Sequence, residues 1–149
     1  MDRVSQKTPG RKFSHMERNS PSLRVLVVDD EPLIRWSLAE TLTGSGHAVI
    51  EAGDGETSVR SLTDGPVDVV LLDYRLPDSH DLTLLSTVRR LAPRSQVIMM
   101  TAYGTPEVAS GALALGAYRV VNKPFDMHDL AALVQQAHAA HPSSPSAFA

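Results

Sequence analysis

The sequence contains no cysteine, which removes thiol nucleophiles, zinc–thiolate sites and disulfides and gives no sign of an oxidising compartment. No apolar run approaches the ~18 residues that a membrane-spanning helix needs. The first residues lack the apolar core of a signal peptide, so the expected address is the cytoplasm, with no membrane partner. A Gly-x-x-x-x-Gly-Lys pattern is also missing, which excludes a P-loop nucleotide site. Lysine is scarce in the body of the chain. From residue 23 onward there are eight arginines (24, 35, 60, 75, 89, 90, 94 and 119) and one lysine, Lys123.

What is present fits one soluble domain. The 149 residues are 42% hydrophobic and 21% charged, enough to bury a core of ordinary size. The charge is unevenly spread. Residues 1–22 carry Arg3, Lys7, Arg11, Lys12 and Arg18 against Asp2 and Glu17, or +3, which leaves −6 for the rest of a chain whose total is −3. An acidic body argues against direct nucleic-acid binding by the folded part. The polar, basic segment 1–22 reads as a disordered tail, and Pro142-Ser-Ser-Pro-Ser marks 141–149 as a second one.

Between the tails, strand and helix patterns alternate five times. The run at 23–28 is apolar and ends on Asp29-Asp30; Pro32 then opens a helix, with Asp30 as its expected N-cap and Ile34, Leu38 and Leu42 as its stripe. Residues 47–51 read as a second strand, Gly53-Asp54-Gly55 as a turn and 56–62 as a weak helix. Val69-Val-Leu-Leu is a continuous apolar run, the mark of a strand buried on both faces of a parallel sheet. It ends on Asp73, and Pro77 forbids its continuation. A helix over 81–91 follows, with Leu84, Leu85, Val88 and Leu91 inward, and a fourth strand over 96–100 leads to Thr101. Thr105-Pro106-Glu107 starts a fourth helix that runs toward Gly116. The fifth strand covers 118–121 and precedes Asn122-Lys123-Pro124-Phe125. Asp126 caps a last helix whose inward residues are Leu130, Leu133, Val134 and Ala137. His138 and His141 stand at metal-like spacing, but a fraying helix end accounts for them.

Such alternation with short connections predicts an α/β fold: a doubly wound, five-stranded parallel sheet of flavodoxin-like order 2-1-3-4-5 with five helices. In that order strands 1, 3, 4 and 5 are contiguous. Asp29, Asp30, Asp73, Thr101 and Lys123 then end neighbouring strands and gather on one rim. Three carboxylates close together cannot all stay ionised without a cation. Oxygen ligands without sulfur or histidine favour a hard divalent ion, most simply Mg²⁺, which prefers to share its shell with a phosphate. Asp73, on the central strand, is the natural nucleophile and would form an acyl phosphate. Lys123 would neutralise charge on the transferring group, and Thr101 is placed to donate to one of its oxygens. Lys123 stands out because a chain that otherwise uses arginine has a compact point charge there.

The blocks Val25-Leu-Val-Val-Asp-Asp-Glu, Val69-Val-Leu-Leu-Asp-Tyr-Arg-Leu-Pro, Met99-Met-Thr-Ala-Tyr-Gly and Asn122-Lys-Pro-Phe resemble those of a response regulator receiver domain, over 23–140. The resemblance implies two-component signalling, with Asp73 phosphorylated by a sensor histidine kinase or a phosphotransfer protein. It implies a Mg²⁺ site formed by Asp29, Asp30, Asp73 and the backbone carbonyl of Arg75. It also implies a phospho-acceptor that assists its own phosphorylation and dephosphorylation, not an enzyme with a separate substrate. Output is expected through a protein-binding surface on the fourth helix, fifth strand and fifth helix, and a phosphorylation-linked dimer is compatible with the family. Arg75 and Tyr103 are expected to flank the path of the attacking water. The blocks are closest to receivers that precede ATPase-type activator modules, although no such module is read in this sequence.

Two positions depart from the family pattern. Val120 stands where an aromatic switch residue is usual, three residues before the lysine, and Asp81 stands where a glycine commonly precedes the leucine. The first departure motivates an alternative: a receiver-shaped interaction module that works without phosphorylation. A flavin site is disfavoured because the loop after the first strand, Asp-Asp-Glu-Pro, is acidic where a phosphate cradle needs bare amides.

Overall fold

A computed structural model of the chain describes residues 21–140. The expected tails lie outside the described residues, as does His141, except that Ser22 is already tied to the fold by a 2.7 Å hydrogen bond from its hydroxyl to the Gly46 carbonyl.

Five strands and five helices alternate: β1 (Arg24–Val28), α1 (Pro32–Gly44), β2 (Ala48–Ala52), α2 (Gly55–Asp64), β3 (Val69–Asp73), α3 (Thr83–Leu91), β4 (Gln96–Thr101), α4 (Pro106–Ala114), β5 (Arg119–Asn122) and α5 (Met127–Ala139). The strands are parallel in the order β2-β1-β3-β4-β5, as predicted. All residues of β3 and β4 are buried. That suits central strands covered on both faces and explains why they read as unbroken apolar runs.

Alternate residues feed two cores. Leu26, Val28, Val70, Leu72 and Met99 face Leu85 and Val88 of α3 and Ala112 of α4. Val25, Val27, Leu71, Ile98 and Met100 face Leu38 and Leu42 of α1 and Leu130 and Val134 of α5. Each fully buried Val, Leu, Ile or Met side chain contributes about 1.5–3 kcal/mol of transfer free energy, so these two layers hold the strand ends in place. α1 and α4 end alike, on glycines in the left-handed region, Gly46 (φ 94°) and Gly116 (φ 104°). Each lets the next amide reach back to a helix carbonyl, His47 to Leu42 (3.1 Å) and Ala117 to Ala112 (3.0 Å).

Three local expectations change. Asp30 does not cap α1: the N-cap residue is Glu31, which makes no side-chain cap bond, and Pro32 at the first position needs none. α3 begins two residues late, at Thr83, because the Asp81 carboxylate accepts the Thr83 amide (2.9 Å) and holds the preceding residues in a turn. Leu91, placed in the buried stripe, is 39% exposed at the helix end. Thr105 and Asp126 do cap α4 and α5.

Candidate functional site

The strand order brings Asp29, Asp30, Asp73, Thr101 and Lys123 to one rim, and all but Asp29 line a single pocket of about 290 Å³ together with Glu31, Arg75, Ala102 and Tyr103. Asp73 ends β3 and is 6% exposed; Asp29, just past β1, is fully buried. Asp29 is held from every side. Its amide bonds to the Ala52 carbonyl (3.0 Å), its Oδ1 accepts the Glu31 amide (2.9 Å), and its carbonyl accepts Arg35 Nη1 (2.6 Å).

Lys123 reaches in from the end of β5. Its backbone N–H donates to the Thr101 carbonyl (2.8 Å). Its Nζ lies 2.8 Å from Asp29 Oδ2, 2.8 Å from Glu31 Oε1 and 3.2 Å from Asp73 Oδ2. One ammonium therefore answers three carboxylates. Burial works against its charge, but the close carboxylates of Asp29 and Glu31 and the charge of Asp73 outweigh burial and raise its pKa. Burial and then the neighbouring charge on Asp29 push Asp73 up to about 7, although Lys123 and the Arg75 backbone amide pull it down. The site thus has a reluctant carboxylate in need of more positive charge.

A divalent cation fits that need. Asp29, Asp30 and Asp73 each offer a carboxylate oxygen, and these oxygens lie within 4.8 Å of one another. Asp29 Oδ2 is buried and has no hydrogen-bond partner of good geometry despite its close ion pair with Lys123. Asp30 is exposed toward the pocket, its carboxylate left free by the absence of a capping role. An all-oxygen donor set with one incompletely satisfied buried oxygen suits a small hard ion such as Mg²⁺.

Thr101 is 1% exposed, and its Oγ1 accepts the Tyr103 amide (2.8 Å). The Arg75 guanidinium lies 4.4 Å from the centroid of the Tyr103 ring, so these two residues stack beside the pocket mouth. A larger groove of about 600 Å³ runs between α2 and α3, but its Asp78 is already engaged by the Gly55 and Glu56 amides (2.8 and 3.0 Å). No lysine lines it, and its acids Glu56, Asp78 and Asp81 do not converge as those of the rim do.

Glu31 and Arg35 were not singled out from sequence. Arg35 also pairs with Glu51 (3.2 Å), and a Cβ at Gly53 would stand 3.2 Å from its Nη1, so β2 and the turn after it provide its seat. Glu31 had a readable signal, since it follows the acid pair directly on the same rim. Arg35 had none, because its partner on Asp29 is a backbone carbonyl.

The family model of the response regulator receiver domain matches residues 25–135. Regulatory protein AtoC of Escherichia coli K12 is 39% identical over 114 residues, 76% of this chain and 25% of that protein. The DNA-binding transcriptional regulator NtrC of Klebsiella pneumoniae is 37% identical over 111 residues, 74% of this chain and 24% of that protein. The chain thus spans about a quarter of the length of these curated relatives. Among solved structures, a CheY-like receiver domain protein of Methanospirillum hungatei superposes with a TM-score of 0.77 at 27% identity, covering 80% of this chain and 96% of that one. NtrX of Brucella abortus superposes with a TM-score of 0.75 at 31% identity, covering 80% and 28%.

Proposed function

This chain belongs to the response regulator receiver family, and from that premise we propose that it accepts a phosphoryl group on Asp73 from the phosphohistidine of a sensor histidine kinase or phosphotransfer protein. The observation that carries the reading is the convergence of one lysine on Asp29 and Asp73 beside the exposed Asp30. A carboxylate oxygen of Asp73 attacks phosphorus, the P–N bond to the donor imidazole breaks, and the imidazole nitrogen leaves with the bonding pair and takes up a proton. The product is an acyl phosphate. Lys123 is placed to exchange a carboxylate partner for a phosphoryl oxygen, and Thr101 to donate its hydroxyl to another.

Asp29, Asp30, Asp73 and the Arg75 carbonyl would hold Mg²⁺, which when bound supplies the charge that offsets the acids and the phosphoryl oxygens. Arg75 and Tyr103, stacked at the mouth, would regulate entry of the water that later hydrolyses the acyl phosphate. The protein in this reading is a phospho-acceptor that assists its own chemistry, not an enzyme with a further substrate. Its output leaves through a partner-binding surface on α4, β5 and α5 in the cytoplasm, where exposed Leu113 on α4 supplies apolar area; a phosphorylation-linked dimer would use the same face. Among the described residues no helix is long and apolar enough to cross a membrane. The complete set of acids, hydroxyl and lysine favours this reading over an interaction module that needs no phosphate.

Acetyl phosphate with Mg²⁺ should add one phosphoryl mass to the protein and none to Asp73→Asn, read by intact mass spectrometry. Uptake by Asp73→Asn, or none by the wild type, overturns the assignment.

A further inference from the structure

The Thr101 hydroxyl and the loop between β4 and α4 form one hydrogen-bonded unit: Oγ1 accepts the Tyr103 amide (2.8 Å), and the Tyr103 carbonyl accepts the Thr105 amide (2.9 Å). Across the sheet Thr101 pairs with Asn122. Side chains alternate faces along β5: Val120 packs with the α3–α4 core and Val121 with the α1–α5 core. Asn122 therefore returns to the α4 side. There it meets the loop, because a Cβ on Gly104 would overlap Asn122 Oδ1 outright. Glycine at 104 is what lets the loop backbone lie against that amide. The tyrosines do not share the contact. Tyr103 is exposed under Arg75, and Tyr118 packs on the α1–α5 core.

Building on the phosphoacceptor reading, we propose that Asn122 is a positioning residue that carries the movement of Thr101 into β5 through its contact with Gly104. When Thr101 moves toward a phosphoryl oxygen on Asp73, the amide of Tyr103 follows its hydroxyl and the loop 102–105 shifts. Gly104 then withdraws from Asn122, and the end of β5 relaxes into the space. Interfaces packed this closely change by steps between arrangements, so a small displacement at Thr101 becomes a change in the β5 surface. Val120, apolar and packed against the α3–α4 core, has no polar group with which to follow the loop.

Amide spectra of the full chain in Mg²⁺, recorded with and without acetyl phosphate and paired with intact-mass uptake, test the relay. Wild type and Val120→Ala should take up the phosphoryl group and move the signals of 102–105 and 119–121. Asn122→Ala should take it up equally and still move 102–105, while the movement at 119–121 is largely lost. The nearly isosteric Asn122→Leu should restore most of that movement. Gly104→Ala should shift 119–121 without any phosphodonor. Mass gain with undiminished β5 movement in Asn122→Ala overturns the relay alone. Absence of mass gain in the wild type overturns the phosphoacceptor reading and the relay with it.

Discussion

The two ends of the sheet treat their polar groups in opposite ways. At the N-terminal end, Asp68 Oδ2 takes the Arg24 amide (2.8 Å), the Asp68 carbonyl takes the Gln96 amide (3.0 Å), and the Ser95 hydroxyl donates to the Val67 carbonyl. His47 Nδ1 accepts the Leu23 amide (3.1 Å). There each side chain discharges onto nearby backbone and ties one strand to the next. At the C-terminal end, buried Asp29 and Asp73 share a single ammonium with Glu31. Like charges are held together instead of being neutralised one by one. The cores between the two ends make the second arrangement tolerable, because buried apolar area fixes the strands wherever the rim repels itself. The proposed phosphoryl chemistry thus falls where like charges are crowded, and the backbone staples lie at the opposite end of the sheet.

The sharpest way to break that contrast is to remove the shared cation. Lys123→Ala should lower stability by about 3 kcal/mol at pH 8, since it leaves buried carboxylates without their partner. Mg²⁺ should recover part of the loss by substituting one cation for another. Thermal melts with and without Mg²⁺ check both statements, and a loss under half a kilocalorie would mark the lysine as a surface charge. The converse change has the opposite sign. Asp73 is raised from 3.8 to about 7, so the folded state holds its proton through a window in which the unfolded chain has released it. Stability from this group therefore falls as pH rises from about 4 to 7. Asp73→Asn should be more stable than wild type by roughly 2 kcal/mol at pH 8, and the gain should vanish near pH 4. Denaturant titrations at the two pH values decide it; a variant equally stabilised at both would refute the charge argument.

Those features were legible in the sequence to unequal depth. Apolar runs ending on Asp29, Asp73 and Thr101 fixed both the topology and the rim, because a strand covered on both faces can only be written in apolar residues. Local capping was less secure. Asp30 stood where an N-cap belongs, yet Pro32 leaves the first turn with little need of one, and the acid remains free for the pocket. The Glu31–Lys123 bond joins residues 92 apart in the chain. No periodicity encodes such a pair; only the strand order does. Val120 and Asn122 illustrate the same limit: their shared face follows from strand alternation, but the contact with Gly104 depends on the path of a loop, which carries no repeating pattern.

The smallest effect belongs to the quiet end of the sheet. His47 is 4% exposed, and its Nδ1 can accept the Leu23 amide only while that nitrogen carries no proton. Burial lowers its pKa below 6.5, with His138 in the same direction and Asp68 opposing. A base with a lowered folded pKa contributes stability that is present above the unfolded value and is lost as pH falls through the folded one. This end of the sheet should therefore weaken on acidification, whereas the Asp73 end weakens on going alkaline. His47→Leu should cost about 1 kcal/mol at pH 8 by orphaning the Leu23 amide. The gap to wild type should narrow as pH falls below 6.5, because the unfolded chain takes up a proton on this imidazole before the folded one does. Melts of both proteins at pH 8, 6.5 and 5 would show it, and a gap that widens on acidification would mean that His47 stays protonated in the fold and that the contrast between the two ends is not one of titration.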